Sequence, residues 1–214
     1  MTQPDILCIG SVLWDIIGRT DAPLRTRGDV PGQISRLPGG VAMNIAMTLV
    51  RFGLKPAVLT AIGQDAEGNE LIAAAEALGI STAYALRTPD LPTDRYMAIE
   101  DASGLIAAIA DAHSLEAAGA AILAPLADGR LGTPLAPWRG PIALDGNLTA
   151  DLLTEIATSP LFAASDLRIA PASPGKAERL LPVMRHPRVT LYVNRQEAGI
   201  LTGASHPTAA EAAA

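Results

Sequence analysis

Short apolar runs alternate with amphipathic stretches along most of this chain, and the alternation predicts a sheet with helices laid across it. Residues 5–10 (DILCIG) are an apolar run closed by glycine, which reads as a buried first strand. The chain continues extended over residues 11–18, where Asp15 interrupts Val12, Leu13, Trp14, Ile16 and Ile17. Residues 19–38 mix charges with prolines and glycines and are expected as loop or exposed sheet. In residues 39–53 (GGVAMNIAMTLVRFG), Val41, Ile45, Thr48, Leu49 and Phe52 recur at helical spacing, and Gly53 stands where a glycine just past a helix belongs. A strand over 57–62 and a helix over 70–78, stopped by Gly79, come next. Residues 94–110 read as two extended segments joined at Ser103 and Gly104, a hairpin signal.

The second half resumes the alternation. Strands are expected at 120–124, 142–144, 167–170 and 189–193, and helices at 149–157, 174–181 and 194–203. Ser173 stands as N-cap and Pro174 at the first position of the 174–181 helix. The whole predicts an α/β fold with a mainly parallel sheet. Segments 12–38 and 86–112 break the alternation and are expected to form a small second sheet. At the end, Thr208 and Glu211 have capping-box spacing, so a helix is expected to begin where the sequence stops, as in a chain cut short.

Composition narrows the function classes. The 214 residues are 49% hydrophobic, enough for a substantial core without disulfides or metals. Sixteen Lys and Arg stand against 22 Asp and Glu, a net charge of −6, which argues against a nucleic-acid binder that must neutralise phosphates. With only 3% aromatics, base-stacking platforms are not expected either. No apolar run approaches the ~20 residues of a membrane helix, and MTQPDILCIG carries no basic segment ahead of its apolar stretch. The single cysteine, Cys8, can form no internal disulfide, so a cytoplasmic location is expected.

Several residues could carry chemistry. Asp15 is costly to bury among apolar neighbours unless it is paired. It either points to solvent from an edge strand or accepts hydrogen bonds from vicinal hydroxyls of a ligand. Gly39 and Gly40 ahead of a helix are either plain turn chemistry or a close backbone approach to a ligand, with the Asn44 amide one turn on. Asn194 and Glu197 have the spacing of an N-cap and its N3 partner. At a strand-to-helix mouth the same pair could hold hydrated Mg²⁺ and phosphate oxygens; the spacing alone favours the cap. Asp145 and Asn147 follow a strand, at the carboxyl end where α/β sheets bind ligands. There is no G-x-x-x-x-G-K-[ST] loop, no G-x-G-x-x-G after the first strand and no G-x-S-x-G elbow. His113, His186 and His206 lack metal-ligand spacing.

Four segments, in order, resemble the PfkB (ribokinase-like) carbohydrate and nucleoside kinases: DILCIGSVLWDIIG, PGGVAMNIAMTLVRFG, AIGQDAEGNELIAAAEALGI and VNRQEAGILTG. The resemblance runs the length of the chain. It implies one kinase domain over residues 1–214, a three-layer α/β/α sandwich with a β-sheet lid from segments 12–38 and 86–112. GDVPGQISRLPGGVAMNIA and TDRYMAIEDASGLIAAIADAHSLE are similar to the pseudouridine kinases of that family, whereas Val41 stands where ribokinases carry Lys. The implied activity is ATP- and Mg²⁺-dependent phosphoryl transfer to the 5′-hydroxyl of a nucleoside, pseudouridine foremost. The alternatives are another sugar or nucleoside kinase of the family, or an inactive sugar-binding protein. The resemblance assigns Asp15, Gly39, Gly40 and Asn44 to the sugar, Thr93 and Asp111 to the nucleoside, and Asn194 and Glu197 to the ATP phosphates, with Glu197 holding Mg²⁺ through water. Asp145 and Asn147 match a ligand-facing strand end. A monovalent cation and a homodimer through the lid are further expectations, with no nucleic-acid or membrane partner. The family's catalytic Asp lies in a G-A-G-D motif that these residues do not contain, so the C-terminal third of the domain is expected to lie beyond Ala214.

Overall fold

The protein is described by a computed structural model covering residues 3–24 and 28–212. Residues 25–27 of the expected lid segment and 213–214 of the expected last helix lie outside the described residues. In chain order the elements are β1 (Ile6–Ile9), β2 (Leu13–Arg19), β3 (Gln33–Gly39), α1 (Val41–Arg51), β4 (Pro56–Leu59), β5 (Ala61–Gly63), α2 (Ala66–Ala77), β6 (Leu86–Thr88), β7 (Arg95–Asp101), β8 (Gly104–Asp111) and α3 (His113–Ala118). A 3-10 helix at Gly119–Leu126 precedes β9 (Pro141–Asp145), α4 (Ala150–Thr158) and β10 (Asp166–Ala170). Two more 3-10 helices, Pro174–Leu180 and Val183–Arg185, lead to β11 (Val189–Leu191), α5 (Arg195–Thr202) and α6 (Ala209–Ala212).

The main sheet has the order β11-β10-β9-β1-β4, and every pair in it is parallel. Its central strands are apolar on both faces because both faces are covered. Leu7 and Ile9 of β1, Leu59 of β4 and Ile142 and Leu144 of β9 join one core with Leu152, Leu153 and Ile156 of α4. The alternate residues Ile6, Cys8, Val58 and Ala143 join a second core with Ala42, Met43 and Ala46 of α1 and Leu71 and Ala75 of α2. The result is a three-layer α/β/α sandwich, as the alternation and the resemblance led one to expect. Each fully buried Leu or Ile contributes about 1.5–3 kcal/mol relative to exposure. Desolvation in the second core pushes the Cys8 thiol up to about 12, so it stays protonated and unreactive. No helix among the described residues is long and apolar enough to cross a membrane.

Local signals explain most boundaries. Helix α1 ends with Phe52 as cap and Gly53 at φ 83, the left-handed glycine the sequence asks for. Helix α2 starts ahead of the expected residue 70 because Asp65 caps it, accepting from the Gly68 N–H at 2.7 Å. The strand expected at 57–62 is split at Thr60 into β4 and β5. Two expectations are corrected. Residues 120–124 are not a strand but part of the 3-10 helix Gly119–Leu126: a short apolar run has no period to separate the two, and this one holds a single β-branched residue, Ile122. Residues 174–181 are mostly 3-10 rather than α, and the Ser173 side chain makes no cap bond.

The second sheet forms as expected from segments 12–38 and 86–112, in the order β3-β2-β7-β8. Part of the second segment departs from it: β6 pairs with β5 instead. Three contacts tie this sheet to the body. Asp65 accepts from the Thr93 N–H and hydroxyl at 2.8 and 2.6 Å. Asp94 accepts from the N–H groups of Ser114 and Leu115 at 3.0 and 3.2 Å. The Trp14 indole donates to the Glu67 carbonyl at 2.9 Å, with the Arg36 guanidinium stacked 4.3 Å from the ring centre.

A fourth tie lies where β1 and β9 run side by side. From there the chain proceeds to β4 on one side and to β10 on the other, so this is the point at which the strand order reverses. The fully buried Asp145 carboxylate accepts from Ser11 N at 2.8 Å, Ser11 Oγ at 2.5 Å and Asn147 N at 2.7 Å. The Ser11 hydroxyl in turn accepts from Val41 N, the first residue of α1, at 2.9 Å. Ser11→Ala removes a donor to a buried carboxylate and the partner of a helix N–H together. It is expected to destabilise the fold by about 1–3 kcal/mol, read as a lower urea midpoint at unchanged slope. A change below about 0.5 kcal/mol, the range of ordinary surface substitutions, would contradict this role.

Candidate acceptor site

The carboxyl ends of β1, β9 and β10 and the inner face of the second sheet enclose a cleft of about 380 Å³, within the ~300–1,000 Å³ range of small-molecule sites. Strand alternation decides which residues face it. Leu13 and Asp15 lie on one face of β2, and Tyr96 of β7 and Ala110 of β8 pair across the sheet on that same face. The body contributes Ser11, Gly40, Val41 and Asn44 beyond β1, Leu115 and Glu116 of α3, Asn147 beyond β9, and Ser173 and Lys176 beyond β10.

Asp15 is the most exacting of these. A Cβ at Gly39, on the neighbouring strand, would overlap its carboxylate, so glycine there is what lets the carboxylate sit down on the sheet. Among the described residues no group donates a hydrogen bond to it, and burial pushes its carboxyl above the ordinary value of 3.8. A half-buried carboxylate without a donor, facing a cleft, is a candidate ligand acceptor. Of the two readings of Asp15 that the sequence leaves open, its place on the cleft face is the one a ligand contact requires. Gly40 caps α1 at φ 94, ψ 153, and a Cβ there would overlap the Ser11 carbonyl. Helix α1 can therefore begin against the end of β1, which brings Asn44, one turn in, to the cleft with its side-chain amide unpartnered among the described residues.

Other candidates are placed elsewhere. Thr93 is 2% exposed and its hydroxyl is held by Asp65, so it supports the second sheet from beneath and does not line the cleft. Asp111 follows Ala110 in β8, so alternation turns it away from the cleft, and it is exposed. Asp145 lies under the floor, bonded by Ser11 and Asn147, and is not among the residues that line the cleft. Asn147 does reach the cleft: its Oδ1 accepts from Lys176 Nζ at 2.6 Å and its carbonyl from Arg179 at 2.9 Å.

Asn194 and Glu197 stand beyond β11, three strands from β1 and so roughly 15 Å away along the same edge. They form a complete capping box: Glu197 N donates to Asn194 Oδ1 and Asn194 N to Glu197 Oε2, both at 2.9 Å. The cap favoured by the spacing is therefore present, and it engages one carboxylate oxygen, Oε2. Asn194 also borders an open depression on α5 with Arg195, Gln196 and Gly199. No cluster of three or more His, Cys, Asp or Glu side chains suited to a metal occurs among the described residues. Sequence reasoning missed Tyr96, Ser173, Glu116 and Lys176. The rule that drew attention to Asp145 and Asn147, a position just past a strand's carboxyl end, could have found Ser173, three residues after β10, whereas Lys176 lies further on, inside the next helix.

Comparison with known proteins places the family and agrees with the fold. The family model of the pfkB family carbohydrate kinases matches residues 3–214. Pseudouridine kinase of Escherichia coli K12 is 32% identical over 120 residues, 56% of this chain and 38% of that protein. A carbohydrate kinase from Agrobacterium tumefaciens superposes with a TM-score of 0.76 at 25% identity, over 95% of this chain and 64% of that one. Arabidopsis thaliana ribokinase complexed with ribose and ATP superposes with a TM-score of 0.71 at 16% identity, over 99% of this chain and 67% of that one. The chain thus spans less than half of the curated relative and about two thirds of the solved structures. The chain belongs to the pfkB family of carbohydrate kinases.

Proposed function

We propose that the protein is an ATP- and Mg²⁺-dependent kinase that phosphorylates the 5′-hydroxyl of a nucleoside, with pseudouridine the first choice of substrate, and that the cleft is where the acceptor sugar binds. The observation that carries this reading is Asp15, donor-free and half-buried, across from the unpartnered Asn44 amide. An ionised carboxylate accepts from two vicinal ribose hydroxyls, and the Asn44 amide can both donate and accept. Holding the sugar this way orients its free hydroxyl, which is most of what a phosphoryl-transfer site must accomplish. The second sheet roofs the cleft and would exclude the water that competes as acceptor. The relatives named pseudouridine kinase favour the nucleoside over a free sugar.

The phosphate end of the reaction falls to the far edge of the sheet. Glu197 keeps its Oε1 outside the capping box, one carboxylate oxygen, which suits a Mg²⁺ that retains its waters and arrives with the nucleotide. Such an ion would neutralise charge on the transferring phosphate. Asn194 and Glu197 would fix the water shell on that side, and a monovalent cation remains part of this proposal. A cytoplasmic location, where ATP is available, belongs to the same reading.

The outer face of the second sheet suggests a partner. Tyr96 and Ala110 face the cleft, so Met97 and its cross-strand partner Ile109 face outward, as do Ile34 and Ile99, which flank Gly18. These four are 46, 68, 82 and 41% exposed. We assign this face to a second copy of the chain, and Ile109→Glu is expected to convert a dimer to a monomer in sedimentation; a wild-type protein that is monomeric at micromolar concentration would overturn that assignment.

Asp15→Asn is expected to weaken nucleoside binding about 10- to 100-fold by calorimetry, the size of a charge-assisted pair of hydrogen bonds, with ATP binding unchanged. Equal losses for both ligands would contradict the role. Because both Asp15 oxygens accept, with the help of charge, only when the group is ionised and its carboxyl is raised, wild-type affinity should begin to fall on acidification at a pH above the ordinary 3.8, and the Asn variant should show no such fall.

A further inference from the structure

The cleft holds one group that a sugar alone does not use. Lys176 lines it from the body side, beyond β10. No carboxylate lies within ion-pair distance of its ammonium among the described residues, in a chain of net charge −6. Its one side-chain partner is the neutral Asn147 Oδ1, at 2.6 Å. Asn147 is itself fixed twice, through its N–H to Asp145 and through its carbonyl to Arg179. An ammonium has three donors, and this one is held by the side-chain amide of a residue whose backbone is anchored, with the others left for something in the cleft.

Its position says what that something is. Helix α1, with Gly40 and Asn44, begins at the end of β1, and Lys176 lies beyond the end of β10. β9 stands between them, so the Lys176 main chain stands two strand spacings, roughly 10 Å, from the end of β1, and its ammonium reaches back to Asn147 beyond β9. A group that the sugar carries along the strand ends towards β10 would meet that ammonium. Charge then separates the two acceptors Lys176 could meet, a carbonyl or a phosphate. Asp15 and Glu116 line the same cleft, and Arg179 stands 3.6 Å from Glu116, so two carboxylates balance Lys176 and Arg179 and leave no positive surplus for a phosphate dianion. A neutral carbonyl oxygen suits a single cation with carboxylates nearby.

We infer that Lys176, oriented by Asn147, donates a hydrogen bond to a carbonyl oxygen of the nucleoside base and so separates nucleosides from free sugars. This rests on the acceptor-site reading above, and it adds a residue that determines specificity at the end of the cleft away from Asp15.

The test is calorimetric binding of pseudouridine, ribose and ribose 1-phosphate to the wild-type protein, to Lys176→Met and to Lys176→Arg. Lys176→Met is expected to lose about 10- to 100-fold in pseudouridine affinity with ribose affinity unchanged. Retained ribose binding also shows that the variant is folded. Lys176→Arg, which keeps a charged donor, is expected to recover part of the loss. An equal loss for both ligands, or no loss for either, would overturn the inference. Tighter wild-type binding of ribose 1-phosphate than of pseudouridine would overturn it in favour of a phosphate site. Wild-type protein that binds ribose as tightly as pseudouridine would remove the base-reading role while leaving the sugar site intact. Binding of none of the three would remove both.

Discussion

A single buried carboxylate organises this molecule. Asp145 lies fully out of water at the end of β9, where an unpaired charge would cost several kcal/mol. It is tolerated because Ser11 and Asn147 supply three donors between them. Those donors fix the two chain segments that leave the sheet at its reversal point. Ser11 then sets where α1 begins, through its hydroxyl to Val41 and its carbonyl to Met43. Asn147 sets where Lys176 points. The start of α1 and the setting of Lys176 thus descend from one charge that lies outside the cleft lining.

The fold was largely legible because its signals are local. Apolar runs of four or five residues buried on both faces, helical spacing in α1 and glycines at Gly53 and Gly79 each act within a few residues. The failures have the same explanation. The run at 120–124 carries no periodicity, and only its place beneath the sheet, with Ile122, Leu123 and Leu126 buried, makes it helical. The split at Thr60 follows from Leu86 donating to the Thr60 carbonyl, a partner far along the chain.

The site was legible in part, and for a physical reason. Asp15 stood out because a polar side chain in an apolar setting announces a cost that something must offset, and Asn44 because it lies one turn into a helix that follows two glycines. What the sequence could not say is which polar residues are already satisfied. Thr93 is bonded by Asp65, 28 residues away, and Asp145 by Ser11, 134 residues away, and neither lines the cleft. Lys176 was invisible for the converse reason: it matters because its neighbour is an amide, 29 residues away, rather than a carboxylate. The Asn194 and Glu197 pair shows both sides at once, a complete capping box whose remaining oxygen stands at the sheet edge, three strand spacings or roughly 15 Å from the end of β1.

The claim that joins these observations is that a ribose ring sits between Asp15 and Asn44, under the second sheet. A crystal structure of the protein grown with pseudouridine tests it most directly. The expected result is density in the cleft with the vicinal hydroxyls on the Asp15 carboxylate and the base directed towards Lys176. Density for the nucleoside at any other surface, with Asp15 left in contact with water alone, would contradict it.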